Sequence, residues 1–482
     1  MKTNVKRTLL ALLPLSVLVL LLSLDISIFG ADSILGASQV ALIAAAAVSV
    51  AISVWIYKTP WADFEKALGR NISDISIAIL ILFFIGAISG TWTMSGVVPA
   101  LICYGLEIIS PKLFLMTACI LCAVVSLITG SSWTTIATVG VALLGIGRAE
   151  GFSDGVIAGA IISGAYFGDK VSPLSDTTVL AASVNRVPLF EHIRYMYYTT
   201  IPSFVITLVA FTVMGFAHAA VPEQQMEIYS EALRGSFNIT PWLLVVPVLT
   251  VILVWKRLPA LAVLGLSALA AAVAALVFQG DIVRHIGENV TSGSPGRVFF
   301  AGIVEIIYNS VSVDTGVAEV NPLVETRGML GMLNTVFLII CAMCFGAAMR
   351  SSGMIDDLSR ILRPLTGTRT GLVGSTVVTG TALNGIVSDQ YLSILLTSNI
   401  YEERYDSGGY ERRLLSRSVE DSATVTSPLV PWSSCGMTQA TILSVPTLAY
   451  APFCLFNILS PLVSILVAAI GWKIVRHASG AA

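Results

Sequence analysis

Charge is what this 482-residue chain has least of. Asp, Glu, Lys and Arg together make up 12% of it, and hydrophobic residues make up 55%. An ordinary soluble domain is roughly 25% charged. A chain this poor in charge cannot cover a water-facing surface, so a soluble globular protein is excluded. The charge that exists is nearly balanced, 27 basic against 29 acidic side chains. That leaves no basic stripe for nucleic acid. Motifs that carry enzyme chemistry are also missing: there is no H-E-x-x-H, no G-x-S-x-G elbow and no phosphate loop. The seven cysteines give no disulfide framework. Cys119-x-x-Cys122 and Cys341-x-x-Cys344 lie in apolar runs without His or further Cys nearby. They read as small apolar helix residues rather than redox or metal pairs.

What the chain has is apolar runs. A spanning helix needs about 20 apolar residues. Runs over 8–29, 37–57, 71–92, 112–130, 194–217, 257–278, 329–349 and 450–475 meet that length. Shorter or interrupted runs cover 95–110, 132–147, 152–166, 172–185, 241–255, 298–312, 371–386, 389–400 and 436–449. The expected fold is an all-α polytopic membrane protein with about 10–13 transmembrane segments, some of them half-helices or re-entrant hairpins. The first run reads as a transmembrane helix rather than a cleaved signal peptide, because it is long and Phe29-Gly30-Ala31-Asp32 is a poor cleavage site.

Orientation follows the basic loops. Lys2, Lys6 and Arg7 precede the first run, and Lys58, Lys66 and Arg70 follow the second. Lys256 with Arg257, then Arg350, Arg360, Arg363 and Arg369, then Lys473 and Arg476 mark further basic loops. All read as cytoplasmic, which puts both termini inside. The acidic segments with Glu223, Glu227 and Glu231, and with Glu319 and Glu325, read as external.

A short series of marks recurs in order. Phe84-Ile85-Gly86-Ala87, Ser95-Gly96, Thr129-Gly130 and Ser172-Pro173-Leu174 are echoed by Phe345-Gly346-Ala347, Ser352-Gly353, Thr379-Gly380 and Ser427-Pro428-Leu429. The loop charges make the 71–92 and 329–349 runs point in opposite directions, which is the pattern of an inverted-topology repeat. The expected organisation is peripheral helices over 1–70, a first inverted repeat over 71–217, linker and connecting spans over 218–297, and a second repeat with the C-terminal helix over 298–482.

Two apolar regions are broken by polar runs that contain proline: Gly168 to Thr178 and Glu420 to Gly436. Proline removes a backbone donor and clashes with the preceding turn, so the helix opens there. Open backbone at membrane depth is tolerated only where it is buried in protein or lines a cavity. Freed carbonyls, hydroxyls and a carboxylate suit a hard cation such as sodium, and half-helix N-termini suit an anion. A carboxylate inside a span is costly, so Asp169, Asp176, Asp389 and Asp421 are candidates. Proton and sodium compete for a single carboxylate, which is the simplest physical basis for exchange. Asp176, flanked by Ser and Thr, is the first choice. Lys170 offers Asp169 an internal ion pair, and Arg412, Arg413 and Arg417 offer Glu420 a boundary pair. Glu107 and Glu305 are proton-relay candidates on apolar helices. Asp314, Arg148, Glu150, Asp356 and Asp357 read as loop charges. His192, His218, His285 and His477 fall near span ends or in loops.

The runs Gly164-Ala165-Tyr166-Phe167-Gly168-Asp169-Lys170 through Ser172-Pro173-Leu174-Ser175-Asp176-Thr177-Thr178, Asp389-Gln390-Tyr391-Leu392, and Glu420-Asp421 with Thr424 to Leu429 and Pro431-Trp432 closely resemble the signatures of the NhaC-type Na+/H+ antiporter family. The resemblance runs in order over roughly residues 30 to 475. It implies a secondary transporter of the inner or plasma membrane with inverted repeats and paired hairpins. It also implies sodium and protons as the transported or coupling ions, with no cofactor. Val179 stands where the family often has Asn, and Ser433-Ser434 where Asn-Thr is common, which leaves room for another coordination set or an organic substrate. On this reading Asp176 is the exchanging carboxylate, and Ser172, Ser175, Thr177, Thr178, Thr426 and Ser427 supply oxygens, with Asp169 and Asp421 beside them. Asn384 and Asp389 complete or gate the site. Asp176, Ser172 and Ser427 form the sodium set. The alternatives are sodium-coupled transport or exchange of an amino acid or a small carboxylate of the malate or lactate kind, and an ion channel. Expected partners are the lipid bilayer and small ions, with an organic solute and a homodimer left open.

Overall fold

The computed structural model describes residues 2–29, 36–108, 110–218, 223–256, 258–354, 357 and 367–474. Of the residues singled out above, Gly30, Ala31, Asp32, Arg257, Asp356, Arg360, Arg363, Arg476 and His477 lie outside the described residues, as do the side chains of Lys2, Lys6 and Glu223.

The described chain is helical, with no β-strand among the described residues. In order, it runs α1 (Lys2–Phe29), α2 (Ala37–Ile52), α3 (Trp61–Met94), α4 (Val97–Ile108), α5 (Phe114–Thr129), α6 (Ser132–Thr135), α7 (Val141–Ala149), α8 (Asp154–Val171), α9 (Asp176–Val184), α10 (Leu189–Ala217) and α11 (Glu223–Ser236). It continues with α12 (Val245–Trp255), α13 (Ala260–Phe278), α14 (Gly280–Glu288), α15 (Pro295–Tyr308), α16 (Leu333–Ser351), α17 (Arg369–Val387), α18 (Gln390–Ser407), α19 (Arg412–Val419), α20 (Ser434–Leu443), α21 (Thr447–Tyr450) and α22 (Leu455–Ile470). A π-turn over Ile136–Gly140 joins α6 to α7, and another over Glu420–Thr424 extends α19.

Among the described residues, seven helices are long and apolar enough to cross a bilayer, and three bent pairs bring the number to ten. The runs expected at 71–92 and 95–110 form one such pair, α3 and α4, bent by 67°. The run expected over 172–185 gives only α9, whose nine residues span about 13 Å. That is too short to cross. Large side chains such as Trp55, Val209, Phe216 and Leu269 are exposed. Apolar residues on the outside and a buried polar interior are what a bilayer demands of a bundle.

The site depends on the packing of α5 against α8. Gly164 and Gly168 stand one turn apart on α8. A Cβ at Gly164 would lie 2.0 Å from the Cys119 carbonyl oxygen, and one at Gly168 would lie 2.2 Å from that of Ala123. Only glycine allows this approach, as in other small-residue helix contacts in membranes. Two hydroxyls then bridge the backbones: Ser126 Oγ donates to the Ala165 carbonyl at 2.6 Å and Ser172 Oγ to that of Leu127 at 2.8 Å.

Candidate functional site

Four interruptions of the helices meet around one cavity. The first separates α5 from α6. Gly130 ends α5 in a left-handed conformation (φ 68°), with Leu174 packed where a side chain would sit. Ser131 then caps α6, its hydroxyl accepting from the Thr134 amide at 3.2 Å. The second interruption is the Ser172-Pro173-Leu174-Ser175 turn between α8 and α9, where Ser175 caps α9. Both turns are chemically ordinary, since Ser is among the preferred N-caps and Gly among the preferred C-terminal stops.

The third interruption is tighter. Ser388 alone joins α17 to the cap of α18 and adopts φ 58°. A non-glycine residue pays about 1–2 kcal/mol for that conformation. The Ser434 amide donates to the Ser388 carbonyl at 2.8 Å and so ties this turn to α20. Asp389 caps α18, with Oδ1 accepting from the Leu392 amide at 2.9 Å. The fourth interruption runs through Ser427-Pro428-Leu429 to Ser433, whose hydroxyl caps α20 by accepting from the Gly436 amide at 2.9 Å.

The N-termini of α6, α9, α18 and α20 thereby border a cavity of about 590 Å³. Three carboxylates, Asp169, Asp176 and Asp389, line it. Asp176 and Asp389 sit at the starts of α9 and α18, and Asp169 reaches the start of α6 from the last turn of α8; at each place the helix dipole favours negative charge. Asp169, on α8, accepts from the Ser132 amide at 3.2 Å and from its hydroxyl at 2.7 Å. Its other oxygen is buried with no hydrogen-bond partner among the described residues. Asp176 accepts from the Thr177 amide at 2.9 Å and from the Tyr391 hydroxyl at 2.6 Å. Ser434 Oγ lies 3.4 Å from Asp389 Oδ2. Asn71, Ser131 and Gln390 add further polar groups, and no Lys, Arg or His is among the described lining residues. No group of three His, Cys, Asp or Glu that could hold a metal ion is found among the described residues. A cation here would therefore rest on fewer than three carboxylates, with neutral oxygens completing its shell.

Behind the cavity lies a separate buried charge centre. Lys170 pairs with Asp421, both fully buried, and Lys170 Nζ donates to Ser460 Oγ at 2.9 Å. Asp421 also accepts from Thr199 Oγ1 at 2.9 Å and lies 3.8 Å from Arg417 Nε. Arg417 covers the ring of Tyr195, its guanidinium 4.7 Å from the ring centroid.

Several expectations change accordingly. The Asp169–Lys170 pair does not form. Consecutive residues point in different directions around a helix, so Asp169 meets α6 while Lys170 meets Asp421. The boundary pair for Glu420 is also absent: Arg412 goes to Glu402 and Asp406, and Arg413 to Glu191 and Glu411. Glu420 is fully buried. Asp421 stands in the charge centre and is not among the cavity's lining residues. Ser172, Ser175, Thr177, Thr178, Asn384, Thr426 and Ser427 are also absent from that lining. Their polar atoms hold the breaks together. Thr178 Oγ1 donates to the Lys170 carbonyl at 2.9 Å, Asn384 Nδ2 to that of Ala423 at 2.7 Å, and Thr426 Oγ1 to that of Ser422 at 2.7 Å. Ser175 and Thr177 share a hydrogen bond at 3.0 Å, and Ser427 Oγ donates to the Thr424 carbonyl at 2.7 Å. The expected sodium set of Asp176, Ser172 and Ser427 thus contributes only Asp176 to the lining, because the two serine hydroxyls are turned to backbone carbonyls. Glu107 pairs with Arg234 at 2.9 Å, and Glu305 accepts from Asn309 at 2.6 Å. Ser131, Ser132, Tyr391 and Ser434 were not among the expected site residues. Their signal was the polar step Thr129-Gly130-Ser131-Ser132 inside an apolar run, and the immediate neighbourhood of Asp389 and of Pro431.

The profile of the Na+/H+ antiporter family matches residues 164–472, which hold Asp169, Asp176, Asp389 and Asp421. The chain belongs to that family. It is 36% identical over 413 residues to the Na+/H+ antiporter NhaC of Alkalihalophilus pseudofirmus, covering 85% of this chain and 86% of the relative. It is 37% identical over 395 residues to the malate-2H+/Na+-lactate antiporter of Bacillus subtilis, covering 82% and 81%. It is 32% identical over 467 residues to the arginine/ornithine antiporter ArcD of Halobacterium salinarum, covering 96% and 92%. These relatives are carriers, so this antiporter-family chain is a multi-pass secondary transporter and not an enzyme.

Proposed function

We propose that this family member exchanges sodium for protons across the cytoplasmic (inner) membrane, using the carboxylates of the 590 Å³ cavity. The observation that carries the reading is the charge of the lining: three aspartates and no basic side chain among the described residues. Such a wall attracts cations and repels anions. Asp176 is the exchanging group. It is exposed in the cavity, held by Tyr391 and its own helix start, and a proton or a sodium ion takes the same carboxylate in turn. Asp169, through its unpartnered oxygen, is the second cation ligand.

Asn71, which lines the cavity, directly follows the stretch of α3 that carries Lys66 and Arg70. By the bias of basic residues toward the cytoplasm, this is the cytoplasmic side, with both termini on it.

A second reading is favoured by size. About 590 Å³ falls within the roughly 300–1,000 Å³ typical of organic-ligand sites. A cationic amino acid, the kind of cargo named for the Halobacterium relative, suits the acidic lining. A malate-like or lactate-like anion finds no basic partner there among the described residues.

Respiring everted vesicles with a pH-gradient dye decide between them. Sodium should dissipate the gradient, and Asp176→Asn, inserted at normal levels, should abolish the response. No response of the parent chain to sodium or lithium from neutral to alkaline pH would remove the exchange reading. Uptake of labelled arginine or ornithine would then establish the second.

A further inference from the structure

A second cavity of about 450 Å³ lies elsewhere in the bundle, lined in part by the Arg148–Asp154 ion pair, Glu319, Glu325 and Arg327. Its relation to the first cavity can be read along the helices. On α3, Asn71, Ile77 and Ile81 line the first cavity, and Ile85, Ile88, Ser89 and Trp92 line the second. Through α6 and α7, Ser132 and Trp133 line the first, and Ala137, Val141 and Arg148 the second. On α20 and its C-terminal cap, Ser434 lines the first, and Thr441, Ile442 and the cap Ser444 the second. Three helical stretches from distant parts of the sequence thus pass from one cavity to the other in consistent order. On α3 the changeover takes a single turn, about 6 Å.

The septum between the cavities carries a polar seam. Ser434, Thr438 and Thr441 stand at i, i+4 and i+7 on α20, which places them on one face of the helix. Ser434 reaches Asp389 at the first cavity. Thr441 shares a hydrogen bond at 2.5 Å with Thr335 of α16 at the second. Thr438 lies between them and is fully buried. Its hydroxyl donates to the Ser434 carbonyl at 2.7 Å. That bond alone is how helical hydroxyls commonly satisfy themselves, and it leaves the oxygen lone pairs unspent. What a packing role does not account for is the position of the hydroxyl, on a face of α20 that runs from one cavity to the other.

We propose that the second cavity is the vestibule on the opposite face of the membrane, and that the cation passes between the two along the Ser434–Thr438–Thr441 face of α20, with the Thr438 hydroxyl as the transit ligand. The proposal rests on the cation-exchange reading for its cargo, but not for its geometry. The geometry is tested without transport, by labelling Ser434→Cys and Thr441→Cys in the otherwise unaltered chain with a membrane-impermeant maleimide. The parent chain, whose native cysteines are buried or nearly so, provides the baseline. In right-side-out and everted vesicles the two positions should label from opposite faces. Labelling of both from one face, or of Thr441→Cys from neither, overturns the vestibule assignment.

The role of Thr438 is tested by Thr438→Val, which keeps the shape and removes the hydroxyl, and by Thr438→Ser, which keeps the hydroxyl. The first should lower the sodium-dependent exchange rate at least tenfold with an unchanged half-saturating sodium concentration, and the second should restore the rate. A Thr438→Val chain that exchanges at the parental rate, or a Thr438→Ser chain as slow as Thr438→Val, overturns the transit role. If the cargo is not sodium, the labelling result stands while the exchange assay of the parent chain fails, so the two ideas fail separately.

Discussion

Asp421→Asn separates a binding carboxylate from a structural counter-ion. Asp421 is wholly buried and gathers Lys170, Thr199, Ser460 and Arg417. An amide in its place strands two cations in the interior with Glu420 as the adjacent carboxylate. Removing one partner of a buried ion pair costs about 3–5 kcal/mol, and two stranded cations put Asp421→Asn at the upper end. Lys170→Met leaves Asp421 with Arg417 and two hydroxyls, which puts it at the lower end. With about 2.1 cal/mol/K of unfolding entropy per residue, the 482 residues carry about 1 kcal/mol/K. The thermal midpoint of the detergent-purified protein should therefore fall by about 5 °C for Asp421→Asn and about 3 °C for Lys170→Met. The double variant should fall by less than the sum, since partners in one network couple. The refuting result is an Asp421→Asn protein that melts with its parent and has lost exchange. Asp421 would then belong to the binding site.

Two further substitutions test the scaffold by the same measurement. Gly168→Val places side-chain atoms against the Ala123 carbonyl of α5, which cannot yield, and should lower the midpoint by about 2 °C or more, with Gly168→Ala less severe. Ser388→Gly relieves a left-handed serine and removes a buried hydroxyl that lacks a hydrogen-bond partner among the described residues. It should raise the midpoint by about 1 °C.

The sequence made the prolines legible, and with them the breaks at Ser172–Ser175 and Ser427–Ser433. The other two showed only as boundaries between apolar runs, at 130/132 and 386/389, with no proline to mark them. Gly130-Ser131 breaks a helix with a stop and a cap but no proline. Ser388 does so by adopting a backbone conformation that its side chain does not advertise. Asp169, Asp176 and Asp389 stood out because carboxylates are rare in apolar runs, and all three line the cavity. Asp421 stood out for the same reason but answers a lysine 251 positions away. No local pattern encodes that distance. The hydroxyls expected to bind the ion were read as free ligands. Most are spent on backbone carbonyls opened by the very breaks that made them conspicuous.

The thinness of the septum bears on how the membrane potential acts. Hydrocarbon about 30 Å thick ordinarily spreads the voltage drop. Where conducting water enters from both sides, the drop is confined to the insulating layer that remains. Along α20 the seven steps from Ser434 to Thr441 rise about 10 Å, so the field there is about three times steeper. A unit charge that crosses it still gains the whole of roughly 2.3 kcal/mol per 100 mV. Any imbalance between the charges moving each way would then be felt almost entirely within two turns of one helix, and voltage would set the direction of exchange alongside the two concentration gradients.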